Sequence, residues 1–223
     1  MDKKLLTQGL IKYILGLIIV GLLIFVPAGT IKYLNGWIFI VILFVPMLIF
    51  GIYLYLNNPN LLKRRLDAKE KYNDQKIVIL LSLLMFLSGF IVAGLNYRFE
   101  WIILPKIFLI ISSIIFLISY ILYAEVLKEN EYLYRTIKVE NNQKVIDTGL
   151  YRVVRHPMYL VTLILFLSIP FILGSLITFY IFLIYPVLIV IRIIKEEKVL
   201  EKDLKGYKEY KKKTKYRLIP FIW

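Results

Sequence analysis

The run from Gly9 to Thr30, GLIKYILGLIIVGLLIFVPAGT, decides the architecture. Lys12 is its one charge, over a length close to the ~20 residues that a helix needs to cross a ~30 Å hydrocarbon core. Three similar runs follow, Gly36 to Leu56, Ile77 to Leu95 and Trp101 to Tyr123, each bounded by charged or turn-forming residues. A polar stretch from Ala124 to Arg155 comes next. Two shorter apolar runs, Pro157 to Leu173 and Leu176 to Ile194, are then joined only by Gly174 and Ser175, and read as a helical hairpin. Pro170 interrupts the first arm, so that arm is expected to kink or to stop short of a full crossing.

The whole chain agrees with this reading. Of its 223 residues 60% are hydrophobic, against roughly 45 to 50% in soluble domains, and the mean hydropathy is +0.73. The expected fold is all-α: a polytopic helical membrane protein of about six hydrophobic helices, four long spans plus the C-terminal hairpin. No Gly/Ser-rich or Pro-rich linker divides it. It reads as one domain over 1–223, with residues 1–123 as a four-helix transmembrane region and residues 124–223 as the region that carries chemistry. The first run is long for a signal-peptide core and no small-residue cleavage site follows it, so it reads as a retained helix.

With no cysteine, the chain has no thiolate metal site, catalytic thiol or disulfide, and a single histidine makes a metal centre unexpected. The net charge of +14 raises nucleic acid as a partner. In a polytopic protein, however, lysine and arginine collect in cytoplasmic loops, and membrane lipids are the expected partners instead. Lys3, Lys4 and Lys12 precede or open the first span, and Lys63, Arg64, Arg65, Lys69, Lys71 and Lys76 follow the second. The connections after the first and third spans carry only Lys32 and Arg98, with Lys106 just inside the fourth. Both termini are therefore expected in the cytoplasm, together with the Ala124 to Arg155 stretch and the tail from Lys195. The basic loop LLKRRLDAKEKYNDQK and the lysines from Lys205 to Lys215 read as solvated faces or contacts with anionic headgroups.

Chemistry is densest in Gln143 to Tyr159, QKVIDTGLYRVVRHPMY. Asp147, Thr148 and Gly149 signal a turn. Pro157 suits the first turn of a helix, which sets Arg155 and His156 at the membrane boundary and Tyr159 just inside it. A helix N-terminus there would offer N–H groups to an anionic group. The bland alternative makes Arg155 a lipid-phosphate anchor, Tyr151 and Tyr159 interfacial belt residues and His156 a helix cap. A second constellation, Arg192 with Glu196 and Glu197, closes the last apolar run. The i, i+4 spacing lets Arg192 and Glu196 simply pair, yet an arginine at the end of an apolar run is costly to desolvate, which favours a functional role. Leu200 and Leu204 continue the face of Glu196, and Gly206 is expected to end that helix. Ile219, Phe221, Ile222 and Trp223 suit docking at the membrane interface. Glu129, Asn130, Tyr132, Tyr134 and Arg135 are further candidates to line a pocket.

The ordered set GLYRVVRHPMY, hairpin, RIIKEEKVL and KGYKEYKKKTKYRLIPFI resembles the isoprenylcysteine carboxyl methyltransferase family and its prokaryotic relatives; the phospholipid N-methyltransferases share the general pattern. The resemblance covers roughly Arg135 to Trp223. It implies S-adenosylmethionine as cofactor, in a cytosolic pocket formed by Gln143, Lys144, Val145 and Ile146, by Tyr151, by His156, Pro157, Met158 and Tyr159, and by Glu196. The family's substrate-contacting arginine falls on Arg192, and the acceptor is expected to enter sideways from the bilayer. Two positions depart from the pattern: Val161 replaces a frequent glycine, and Leu204-Lys205-Gly206 stands where the family has an FG pair.

The implied activity is methyl transfer to a lipophilic small-molecule or lipidated acceptor. A carboxylate is favoured, because it is already a nucleophile; an amine acceptor would need a base, for which Glu197 is the candidate. Arg192, Glu196 and Glu197 are thus the expected catalytic group. Two alternatives remain open at the level of sequence. One is a sterol-type membrane reductase that binds NADPH, and the other a non-catalytic lipid-binding membrane protein.

Overall fold

The computed structural model describes residues 2–67, 73–134 and 136–223, apart from the side chains of residues 73 and 74. Lys69, Lys71 and Arg135 lie outside the described residues. Among the described residues the regular structure is all helical: α1 Lys3–Ala28, α2 Leu34–Asn57, α3 Pro59–Leu66, α4 Asn73–Phe99, α5 Lys106–Glu129, α6 Pro157–Ile172, α7 Leu176–Phe182, α8 Ile184–Asp203 and α9 Tyr207–Lys213, with a 3-10 turn at Gly149–Arg152. Among the described residues five stretches are long and apolar enough to cross a membrane, namely α1, α2, Gln75–Phe99 of α4, α5, and Leu176–Asp203, where α7 and α8 run on from one another. The protein is a multi-pass helical membrane protein.

Its surface is apolar where a soluble protein would be polar. On α1 the side chains of Ile11, Ile14, Ile18 and Leu22 are exposed, and on α5 so are Ile107, Ile110, Ile114 and Ile121. Exposed faces of that extent are unstable in water but are what hydrocarbon solvates. Inside, the helices meet on aromatic contacts: Phe86 packs edge-on to Phe166 and to Phe182, with ring centroids 4.9 and 5.4 Å apart. Phe39 approaches Phe90 and Phe116 from α2. Gly94 decides how close α1 and α4 come, because a Cβ there would lie 2.5 Å from the Ile24 carbonyl oxygen. Small residues allow such approach in a bilayer, where dispersion between helices replaces the hydrophobic effect.

Several helix boundaries differ from the sequence expectation, each for a local reason. The helix of the fourth run starts at Lys106, not Trp101, because Pro105 ends an extended connection. Asn96 clasps that connection, donating to the Ile102 carbonyl at 3.0 Å and accepting from the Ile102 N–H at 3.2 Å. The short α3 was not anticipated; Asn58 caps it by accepting from the Leu61 N–H, and Pro59 opens it. Helix α8 ends at Asp203, and Gly206, at φ 87°, turns the chain into α9.

Helix α6 has Pro170 inside it and is a shorter apolar helix, outside the five stretches long enough to cross a membrane. Sixteen residues give about 24 Å of helix. That length carries the chain from the site end to the layer of the opposite connections, where Tyr33 donates to the Leu173 carbonyl and Asn96 to the Gly174 carbonyl. Trp37 and Trp101 are exposed at this far end, as interfacial aromatics are.

Candidate functional site

At the near end of the bundle, the chain between α5 and α6 folds across the ends of α3, α6 and α8. Local interactions shape it. Glu129 at the end of α5 accepts from Thr148 Oγ1 at 2.7 Å and from the Leu150 N–H at 3.3 Å, which caps the 3-10 turn. Gly149 is required there, with φ 46° and no room for a Cβ against the Glu129 carboxylate. Asn130 donates to the Tyr151 hydroxyl at 3.0 Å. Glu129 therefore supports the turn, whereas Asn130, Tyr132 and Tyr134 line a cavity.

That cavity gathers residues far apart in sequence. Its walls are residues 143–146, Tyr151, residues 155–159, Glu196 and the tail residues Tyr207 and Tyr210. Each residue of the Gln143 to Ile146 segment and of the His156 to Tyr159 motif thus borders the same space as Glu196. Leu200 and Leu204 border it too, so the stripe of α8 that begins at Glu196 faces inward. Glu196 is the one acidic residue among the described lining residues, which also include Lys138, Lys144 and Arg155. Burial pushes the hydroxyls of Tyr151, Tyr207 and Tyr210 well above the ordinary tyrosine value. They stay protonated, and Tyr210 donates to the Tyr151 carbonyl at 2.7 Å.

The first turn of α6 is less open to an anion than its position implies. Pro157 has no N–H, while Tyr159 and Leu160 both donate theirs to the His156 carbonyl. Arg155 is no lipid anchor. It is buried, donates from Nε to Glu197 at 2.6 Å, and reaches the carbonyls of Thr214 and Lys215 at 2.8 and 2.7 Å.

Glu196 and Glu197, adjacent in sequence, face different surroundings because successive helix positions turn by about 100°. Glu197 lines neither this cavity nor the one described next. Its Oε1 meets Arg155 Nε at 2.6 Å and His156 Nε2 at 3.4 Å, and its Oε2 accepts from Arg217 Nε at 2.9 Å. This carboxylate, expected as a candidate base, is instead the centre of a buried ionic cluster that joins α8 to the α6 entrance and to the tail. The tail is also held by backbone bonds from Arg155 and His156 to the carbonyls of Tyr216 and Arg217, both 2.9 Å.

A second cavity, mostly apolar, lies between α4, α6 and α8, bordered by Val78, Ile79, Phe86, Phe166 and Ile189 with Arg65 and Arg192. It shares Thr136, Met158 and Tyr159 with the first cavity. Arg192 belongs to the second cavity and Glu196 to the first. Their i, i+4 pairing runs through the residue between the cavities: Arg192 Nε donates to the Tyr159 hydroxyl oxygen at 2.8 Å, and that hydroxyl donates to Glu196.

Arg64 and Arg65 correct the reading of the basic loop as a solvated face. Arg64 pairs with Glu140 at 2.8 Å and donates to the Glu131 carbonyl at 2.7 Å. Arg65 donates to the Tyr134 carbonyl at 3.1 Å and to the Tyr123 hydroxyl. No local pattern in LLKRRLD marks these inward roles; the Pro59 helix start was the available signal. Val161 packs where a glycine was expected, buried in one cluster with Val126, Tyr151, Tyr207 and Tyr210.

Residues 101–206, just under half of the chain, match the family model of the phospholipid methyltransferases. This is the superfamily that the ordered motifs resemble. No curated protein matches the chain. The matched stretch holds α5, the polar segment and α6 to α8, but neither Arg65 nor Arg217.

Proposed function

We propose that this membrane protein, a methyltransferase of the phospholipid methyltransferase superfamily by its residues 101–206, moves a methyl group from S-adenosylmethionine to the carboxylate of a lipophilic acceptor. One observation carries the reading. A cavity at the end of the bundle that carries Glu196, Lys138, Lys144 and several tyrosines shares a wall with a more apolar cavity between the helices, and Tyr159 in that wall hydrogen-bonds Arg192 on one side and Glu196 on the other.

The chemistry of the first cavity fits this cofactor. Glu196 offers a counter-charge to an ammonium or sulfonium, tyrosine rings offer cation-attracting faces, and Lys138 and Lys144 suit a carboxylate. Residues 143–146, Tyr151, residues 156–159 and Glu196 would hold it. The cofactor would supply an activated methyl group on a sulfonium, and a carboxylate acceptor, having no proton to lose, could take it without a base.

The chain's own task is then alignment and exclusion of water. Arg192 holds the acceptor carboxylate with its planar guanidinium, and Tyr159 fixes Arg192 relative to Glu196. The apolar walls take the acceptor's tail from the bilayer. A carboxylate acceptor also agrees with the place of Glu197, whose two oxygens are committed to Arg155, His156 and Arg217. Both termini and the site lie on the cytoplasmic side in this reading, since the basic residues of α3 and the tail share the site end.

Calorimetric titration of the detergent-purified protein with S-adenosylhomocysteine tests the assignment, with NADPH and Glu196→Gln as comparisons. Saturable binding of S-adenosylhomocysteine and none of NADPH is expected. Loss of a charge-assisted contact in Glu196→Gln should weaken it by about 1.5 to 3 kcal/mol. Binding of NADPH alone would replace the methyltransferase reading with a reductase.

A further inference from the structure

The far end of the bundle, away from Glu196, holds a cavity of its own. Its walls come from three connections: Tyr33 and Asn35 at the start of α2, residues from Asn96 to Lys106 between α4 and α5, and Leu173 and Gly174 after α6. Trp37 and Trp101 are exposed beside these connections, which sets the cavity at the depth of the lipid headgroups. The Tyr33 hydroxyl and the Asn96 amide are committed to backbone carbonyls that close this end. Recognition therefore falls to the other polar walls, Asn35, Tyr97, Glu100 and Lys106. Two of them are charged, with opposite signs. Glu100 is the one acid among residues 29–33, 100–105 and 173–175. It sits at φ 51°, a left-handed conformation that glycine adopts without strain and a glutamate does not. Backbone outliers of this kind gather at ligand sites. Lys106 opens α5, whose N-terminus has no side-chain cap, so its ammonium and the helix dipole together favour an anion. Ile103, Leu109 and Phe171 make much of the remaining wall apolar.

These groups complement a ligand that carries both charges and an apolar chain. The Tyr33 and Tyr97 rings, stacked with centroids 4.2 Å apart, add aromatic faces that attract a cation. We infer that this cavity binds a phospholipid of the far leaflet whose headgroup joins a primary ammonium to a phosphodiester, as an ethanolamine phospholipid does. The ammonium meets Glu100 and the tyrosine rings, the phosphate meets Lys106 at the start of α5, and the upper chain lies against Leu109 and Phe171. A primary ammonium donates hydrogen bonds to a carboxylate, whereas a trimethylammonium has no N–H to donate. Glu100 thereby selects ethanolamine over choline headgroups. The bound lipid bridges the three connections and stabilises that end of the bundle. It lies at the opposite end from Glu196, so it is a structural ligand and not the methyl acceptor, and the inference stands apart from the methyltransferase reading.

Native mass spectrometry of the delipidated full chain, titrated with dioleoyl phosphatidylethanolamine or dioleoyl phosphatidylcholine, reads the affinity of the first bound lipid. Both lipids are net neutral, so general attraction to a basic protein acts on them alike. The unaltered protein is expected to favour the ethanolamine lipid by about threefold to tenfold, the scale of an exposed ion pair. Glu100→Gln should remove that preference and leave the choline lipid bound as before, whereas Lys106→Gln should weaken both lipids. Thermal unfolding gives an independent readout: the ethanolamine lipid should raise the midpoint of the unaltered protein more than the choline lipid does, and that excess should vanish in Glu100→Gln. No preference in the unaltered protein, or a preference that survives Glu100→Gln, would overturn the inference. So would an equal loss in Lys32→Gln, which alters the charge of the same end outside the cavity and would assign the preference to bulk headgroups. Competition by glycerophosphoethanolamine at the concentration of the lipid itself would replace the lipid with a water-soluble ligand.

Discussion

Arg192 and Glu196, one helical turn apart on α8, are joined through a single atom, the hydroxyl oxygen of Tyr159. Arg192 donates to that oxygen and Glu196 accepts its proton, so the tyrosine ties a residue of one cavity to a residue of the other. Tyr159→Phe keeps the ring and removes the link. Turnover should fall by roughly tenfold to a hundredfold, the scale of about 1.5 to 3 kcal/mol for hydrogen bonds to charged groups, while the thermal midpoint stays near that of the unaltered protein. Methyl-transfer assays beside thermal unfolding in detergent measure both; an equal effect on each would make Tyr159 a structural residue only.

Arg192→Lys separates the two cavities. Lysine keeps the charge but not the planar fork that matches a carboxylate. Binding of S-adenosylhomocysteine should be unchanged and methyl transfer should drop. Calorimetry that showed cofactor binding lost in this variant would reverse the roles given to Arg192 and Glu196.

Glu197→Gln should act on stability. The substitution leaves Arg155, which is buried, without its counter-charge, along with the partly buried Arg217. Breaking a buried ion pair from one side costs about 3 to 5 kcal/mol. Thermal unfolding followed by circular dichroism should show a large downward shift, with the tail freed from α6 and more open to protease. A normal midpoint combined with lost activity would return Glu197 to a catalytic role.

Gly94→Leu should separate α1 from α4, because the added side chain has to occupy the space beside the Ile24 carbonyl and the Ala28 amide. Overpacking of this kind typically costs about 1 to 3 kcal/mol. The thermal midpoint is expected to fall. S-adenosylhomocysteine affinity at low temperature should persist, since the cavity that carries Glu196 has no lining residue on α1 or α4.

The Arg64–Glu140 pair predicts a pH response at the site end. The hydrogen bond from Tyr134, then the Arg64 guanidinium, hold the Glu140 carboxyl below its ordinary value against the opposing effect of partial burial. A carboxyl lowered on folding stabilises above its unfolded pKa, about 4.3 for glutamate. That contribution is lost as pH falls through the lowered folded value. Protection of residues 136–143 from hydrogen exchange, taken relative to the intrinsic rate at each pH, should therefore fall as pH drops through the lowered carboxyl value in the unaltered protein and already be low at neutral pH in Glu140→Gln. Equal protection in both would leave the pair without effect.

Much of the site was legible because it rests on ordered patterns. RHPxY at a helix entrance and RxxxEE at a helix exit name Tyr159, Arg192 and Glu196, and Leu200 and Leu204 at i, i+4 spacing mark the stripe beside them. The roles of Arg64, Arg65 and Glu197 were not legible. Each depends on a partner more than 15 residues away, and an inward-facing arginine in a basic loop is written with the same letters as a solvated one. Tyr207 and Tyr210 were hidden for the same reason: their place in the cavity needs the tail to fold back on α6.

The sequence by itself determined the solvent and the helices. Long apolar runs have no stable course other than to satisfy their backbone within helices in hydrocarbon, and prolines and glycines set where those helices start and turn. Only the tertiary structure decided which charges meet. Glu196 and Glu197 are identical in chemistry and adjacent in the chain, yet the rotation of one helix position gives one to an open cavity and encloses the other between two arginines.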